Sequence, residues 1–186
     1  MVLQNIVLFL VSTLFSMYIG AVVLRFLFAW SRANFYNPIA QFVVKVTNPP
    51  LTKLRKWIPA IGKIDTAAVI LALVLKFILI VLVIIIQGAS TLVSSNIFYI
   101  VLLAMIDLIR TVVWIYIIAL IIQAVMSWTG GNGNTPMGDL LESLTRPLLR
   151  PIQRYVSPIA SIDLSPMVAI IILNVALIVL SPFPSF

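Results

Sequence analysis

The sequence predicts an all-α membrane protein with four transmembrane helices in two parallel tandem repeats, each with a cytoplasmic amphipathic in-plane segment. Three observations predict it. Hydrophobic residues fill 62% of the 186 positions and charged ones only 9%, where an ordinary soluble domain carries about a quarter charged residues. Apolar runs of bilayer-crossing length recur along the chain. Finally, the two halves of the chain align with each other at one constant offset.

The spans fall at about Ile6 to Trp30, Thr66 to Ile86, Ile97 or a few residues later to Trp128, and Leu164 to Leu180. The first is read as a retained span, because Met1 to Asn5 carries no cation and no small-residue cleavage site interrupts the run. The last is short. Its uninterrupted apolar run begins only at Met167, so it has to start near Leu164, tilt little, or sit in a thinned bilayer.

An offset of 98 residues superimposes the halves without a gap: Tyr18 on Tyr116, Trp30 on Trp128, Pro38 on Pro136, Thr47 on Thr145, Pro49 on Pro147, and Ile64-Asp65 on Ile162-Asp163. Shared composition does not place Trp, Pro and Asp at one spacing, so the chain reads as a duplication: residues 1–88, a short external connection at 89–96, and residues 97–186. Two spans per copy make the copies parallel. Cations crowd the segments 31–65 and 130–163 and are absent from the termini and from 87–96. The positive-inside rule then puts both long loops in the cytoplasm and both termini on the outer side of the membrane.

Each loop opens with a one-sided helix. Ile39, Phe42, Val43 and Val46 share a helical face, as do Met137, Leu140, Leu141 and Leu144 at the aligned positions. This stripe either enters the acyl chains or packs on the protein's own spans. A second apolar set follows, Leu51, Leu54, Ile58 and Ile61 in one copy and Leu149, Ile152, Val156 and Ile159 in the other. It is interleaved with Lys53, Arg55, Lys56, Arg146, Arg150 and Arg154, the candidate contacts to anionic lipid or a partner protein. Prolines including Pro49 and Pro147 predict a fixed bent path, a short helix entered by a turn or a kinked one. Asp65 and Asp163 close the loops, either as helix caps, with Ser165 as a further cap before Pro166, or as partners of loop cations.

Four charged groups lie inside the spans. Arg25, five residues before Trp30, is placed to snorkel to headgroups. Lys76 lies mid-span, where an unpaired charge costs about 3 kcal/mol or more. Counting inward from the cytoplasmic ends puts Asp107 roughly 15 Å deeper than Lys76, which argues against a direct bond. Asp107 and Arg110, three residues apart, are expected to neutralise each other. Asn174 aligns with Lys76, so the two are expected to face a shared interior, as packing contacts or as the lining of a polar path.

The chemistry of the chain is bounded by what it lacks. With no Cys and no His, disulfides, thiolate or imidazole metal sites, and Cys- or Ser-His catalysis are excluded. No cofactor is expected, and the net charge of +7 points to lipid rather than nucleic acid. The glycine-rich stretch 130–133 follows a span rather than a strand and lacks the Lys-Ser/Thr of a phosphate loop.

The loop motifs resemble one family. Thr-x-Pro-x-Leu ending in Ile-Asp, the run Arg146-Pro147-Leu148-Leu149-Arg150-Pro151-Ile152, and Ile162-Asp163-Leu164-Ser165-Pro166 are similar to the YggT family of small bacterial inner-membrane proteins, as is Gln41-Phe42-Val43-Val44-Lys45-Val46-Thr47. The first copy departs from the pattern, with Thr52-Lys53 where the second has Arg150-Pro151. The resemblance covers essentially the whole chain and implies a role in membrane organisation, assembly or osmotic-stress tolerance, expected to be non-enzymatic because the chain lacks His, Cys and an acid pair at catalytic spacing. The competing expectation is a conductor of ions or small solutes formed between the repeats or in a homo-oligomer.

Overall fold

The computed structural model describes residues 2–59, 65–88, 97–128, 135–155 and 163–184. Among these, six helices and no strand are found: α1 Val2–Trp30, α2 Pro38–Leu54, α3 Thr66–Ile86, α4 Ile97–Trp128, α5 Pro136–Gln153 and α6 Ser165–Leu180. The connection 89–96, the glycine-rich stretch 130–133, and Ile61, Ile64, Val156, Ile159 and Ile162 lie outside the described residues.

α1, α3 and Ile97–Ser127 of α4 are long and apolar enough to cross a membrane. Apolar helices serve here because hydrocarbon offers no partner to backbone N–H and C=O groups, and a helix satisfies them internally. α6 is equally apolar but has 16 residues, about 24 Å against a hydrocarbon core of about 30 Å. Large apolar side chains face outward along α1, α4 and α6, among them Phe9, Leu14, Trp114, Ile118, Ile172 and Val179. An outward apolar surface of this extent is what a lipid solvent permits and water does not.

α2 and α5 start alike. Asn37 accepts from the Ile39 amide at 2.9 Å and Thr135 from the Gly138 amide at 3.1 Å, each just before a proline whose missing N–H costs nothing in the first turn. Both helices then continue through internal prolines, Pro49 and Pro50 in α2 and Pro147 and Pro151 in α5. Of the two paths expected, a turn or a helix bent at proline, the turn is absent and each helix is continuous. Flanking side chains hold these turns in place: Thr47, Leu51, Thr145 and Leu149 are all buried around the prolines.

The buried face of α2 also differs from the expected stripe. Ala40, Val43, Thr47 and Leu51 face inward while Phe42 and Val46 are exposed. In α5, Leu140, Leu141 and Leu144 are buried as predicted, and Met137 is exposed. Of the two readings left open, packing on the protein's own helices therefore accounts for most of the stripe.

One cluster joins Ile19, Val22 and Phe28 of α1 to Val43 of α2, Ala67, Ala68 and Ala72 of α3 and Leu144 of α5. The alanines let α3 approach closely. A second cluster joins Ile117 and Leu120 of α4 to Leu149 of α5 and Ala169 and Leu173 of α6. A third, Ile80 with Ile100, Leu103 and Ala104, seals α3 against α4.

α1 ends on Arg32 in the left-handed region, φ 55°. The Ala33 amide reaches back to the Phe28 carbonyl at 2.9 Å, the wrap-around C-terminal motif that usually places Gly at this position. The position 98 residues on is Gly130.

Candidate functional site

Three groups of polar side chains stand out. The first is a buried charge cluster. Lys76 Nζ donates to Asp107 Oδ2 at 2.7 Å, both side chains being about 5% exposed. Arg110 lies 3.9 Å from the other Asp107 oxygen. The Arg110 guanidinium also donates to the carbonyls of Pro184 at 2.8 Å, Phe183 at 2.7 Å and Leu180, so it caps the C-terminal end of α6, where helix dipoles favour a cation. The cluster thus ties α3, α4 and the end of α6 together.

This corrects the depth argument against a Lys76–Asp107 bond. α4 is 32 residues long and α3 only 21, so α4 overhangs α3 by about 16 Å at the Trp128 end. Depth counted from that end is wrong by the overhang. From the other end, where 87–96 joins the helices, Lys76 lies ten residues before Ile86 and Asp107 ten residues after Ile97, which puts them level. Asp107 and Arg110 do interact, but as the longer contact of the three-residue cluster.

The placement of Asn174 is a second correction. Lys76 is buried, whereas Asn174 is exposed on α6 and donates to the Ile170 carbonyl at 2.8 Å. The two do not share an interior.

The second group lies where α1 meets α2. Arg25 is buried, donating to Thr47 Oγ1 at 3.0 Å, Asn48 Oδ1 at 2.8 Å and the Val44 carbonyl at 3.3 Å. Protein oxygens, rather than headgroups, therefore hold the guanidinium expected to snorkel. At the positions 98 residues on, Thr145 Oγ1 donates to Gln123 Oε1 at 2.7 Å. Both threonines are completely buried; Thr47 donates its proton to the Val43 carbonyl four residues back, and the one proton of Thr145 is shared between Gln123 and the Leu141 carbonyl. The sequence alignment had already paired Thr47 with Thr145; the missed signal was the polar pair Arg25 and Gln123 at the same offset.

The third group forms the exposed ends of α2 and α5. Arg55 pairs with Asp65, and 98 residues on Gln153 donates to Asp163 at 2.9 Å. Asp65 also caps α3, accepting from the Ala68 amide at 3.4 Å, so its two readings coexist. Asp163 accepts from the Ser165 amide at 2.8 Å. Burial pushes the Asp163 carboxyl up, but hydrogen bonds from Ser165 and Gln153 outweigh it and hold the group below its ordinary value. Ser165 is the first residue of α6 rather than its cap, which is Leu164.

Lys53, Lys56, Arg146, Arg150 and Arg154 are exposed. Beside them Trp57 is 87% and Tyr155 90% exposed, again 98 residues apart. The N-terminal ends of α2 and α5 meet at a bond from Asn37 Nδ2 to the Pro136 carbonyl, 2.5 Å. Both basic helices thus lie at one end of the bundle. No group of acidic side chains able to hold a metal ion occurs among the described residues.

Long apolar helices, two shorter proline-containing helices and an ion cluster sealed between the long ones define a helical membrane-type protein. More particularly, the chain belongs to the CCB3/YggT family, whose model matches residues 4–86 and again 102–183. A Vibrio alginolyticus relative, described as an uncharacterized protein in the proC 3' region, is 38% identical over 93% of this chain and 92% of its own length. YggT of Escherichia coli K12 is 36% identical over 92% of this chain and 87% of its own. PA0392 of Pseudomonas aeruginosa is 32% identical over 92% and 86%. No solved structure matches the chain.

Proposed function

We propose that this protein is a non-enzymatic membrane scaffold or assembly and stress-tolerance factor. It holds anionic lipid, or a partner protein, on the basic ends of α2 and α5. The observation that carries the reading is the recurrence, in both halves, of exposed cations beside an almost fully exposed aromatic: Lys53 and Lys56 with Trp57, Arg150 and Arg154 with Tyr155. Cations attract anionic headgroups by about 1 kcal/mol each, and an amphipathic ring prefers the headgroup level. Arg55, already paired with Asp65, is the exception among the six cations and acts mainly within the fold.

In this reading α1, α3, α4 and α6 all cross a bacterial inner membrane, as two parallel copies of one unit with both basic segments in the cytoplasm and both termini outside. Hydrogen bonds recurring at an offset of 98 residues support the duplication, as does the family model matching twice. The conducting alternative gains no support from the ionised side chains. Lys76, Asp107 and Arg110 are spent on one another and on the α6 carbonyls.

The test is to neutralise Lys53, Lys56, Arg146, Arg150 and Arg154 together, leaving Arg55 in place. Gently purified wild-type protein should retain several-fold more anionic lipid or partner by mass spectrometry than the variant, at unchanged helicity. Equal retention refutes the assignment.

A further inference from the structure

The seam between the two halves is the contact of α3 with α4. On α3 it uses Lys76 and Ile80, with Leu73 and Phe77 packed beside them; on α4 it uses Ile100, Leu103, Ala104 and Asp107. Carried forward 98 residues, the α3 face becomes Ile171, Asn174, Val175 and Ile178 of α6. All four are exposed. Carried back 98 residues, the α4 face becomes Val2, Asn5, Ile6 and Phe9 of α1, and these are exposed as well.

The chain therefore repeats, bare at its two ends, both halves of a contact that it fills once inside itself. We infer that a second copy of the chain fills it, α6 of one copy docking head-to-tail on α1 of the next as α3 docks on α4. The inference rests on the duplication proposed above and goes beyond it.

Two further features fit a protein occupant better than lipid. Asn174 places an amide on this face, and its Oδ1 accepts from no described residue. Hydrocarbon offers that oxygen nothing, whereas the opposing stripe of α1 brings the polar side chain of Asn5. Direction also fits. α6 and α1 run oppositely, as α3 and α4 do, so docking leaves both copies in one orientation in a shared bilayer. Such a heterologous contact builds a ring when its rotation closes.

The chain has no cysteine, which makes cross-linking direct. Ile178→Cys in one tagged chain and Asn5→Cys in a second, co-expressed and oxidised in the membrane, correspond to positions 80 and 103 of the internal seam. A cross-linked heterodimer that neither variant forms alone is expected. The single-chain pair Ile80→Cys with Leu103→Cys serves as the control, and it should close within one chain. Absence of the heterodimer while the control closes overturns the inference but leaves the duplication standing. Self-cross-linking of Ile178→Cys alone overturns it in favour of a symmetric α6 contact. A control that fails to close removes the template and overturns it too.

Discussion

Asp107 is the hub of the buried cluster, so removing it and removing Lys76 have unequal consequences. At an effective dielectric of about 20, the 2.7 Å contact with Lys76 and the 3.9 Å contact with Arg110 are attractions of roughly 6 and 4 kcal/mol before desolvation. Asp107→Asn abolishes both and leaves two cations facing each other in a sealed site. Deleting one member of a buried pair costs about 3–5 kcal/mol, and this substitution falls in that range. Lys76→Met abolishes one attraction, exchanges the aliphatic stem for one of similar shape, and leaves Asp107 with Arg110. A loss of about 1–3 kcal/mol is expected. The double variant leaves only Arg110, whose charge the α6 carbonyls still hold, so it should be no less stable than Asp107→Asn. The assay is reversible unfolding in mixed detergent micelles followed by circular dichroism, as a double-mutant cycle. If Lys76→Met is as costly as Asp107→Asn, or the two losses simply add, Asp107 is not the hub.

Thr47→Val should destabilise more than Thr145→Val in the same assay. The first takes a partner from a buried guanidinium, at about 1.5–3 kcal/mol, and the second from a neutral amide, at about 1 kcal/mol. Arg32→Gly should raise the unfolding midpoint by the equivalent of about 0.5–1 kcal/mol, relief of left-handed strain exceeding the entropy that glycine adds to the unfolded chain; a lower midpoint would contradict the motif. Because the Asp163 carboxyl is held below its ordinary value of 3.8, its contribution is full above that value and is lost as pH falls through the lowered one. Wild-type protein should therefore lose thermal stability below about pH 4 more steeply than Asp163→Asn, and identical pH profiles would refute the assignment.

Much of this architecture was legible in the residues. Hydropathy located α1, α3, α4 and α6 because a lipid solvent demands self-satisfied backbone over a set length, a property of composition alone. Asp65 ahead of an apolar run marked a helix start through chemistry confined to one turn, whereas the caps Asn37 and Thr135 emerged only in the structure. The constant offset paired Thr47 with Thr145 and Asp65 with Asp163, and both pairs make recurring bonds, but it left the Arg25 and Gln123 partners unread and misplaced Asn174. The paths of α2 and α5 were less legible: proline's local penalty left a turn or a kinked helix open, and burial of Leu51 and Leu149 decided for the continuous helix.

What tertiary structure alone decided was who faces whom. Arg25 turned inward because α2 lays Thr47 and Asn48 against it, a juxtaposition set by how two helices cross. Lys76 found Asp107 because α3 and α4 are level at their Ile86 and Ile97 ends rather than at their far ends. Asn174, aligned with Lys76, was left outside because α6 packs on α4 and α5 through the face that carries Ala169 and Leu173. Composition fixes a residue's preferred solvent, but its partner depends on the rotation and vertical register of whole helices, which no short stretch of chain encodes.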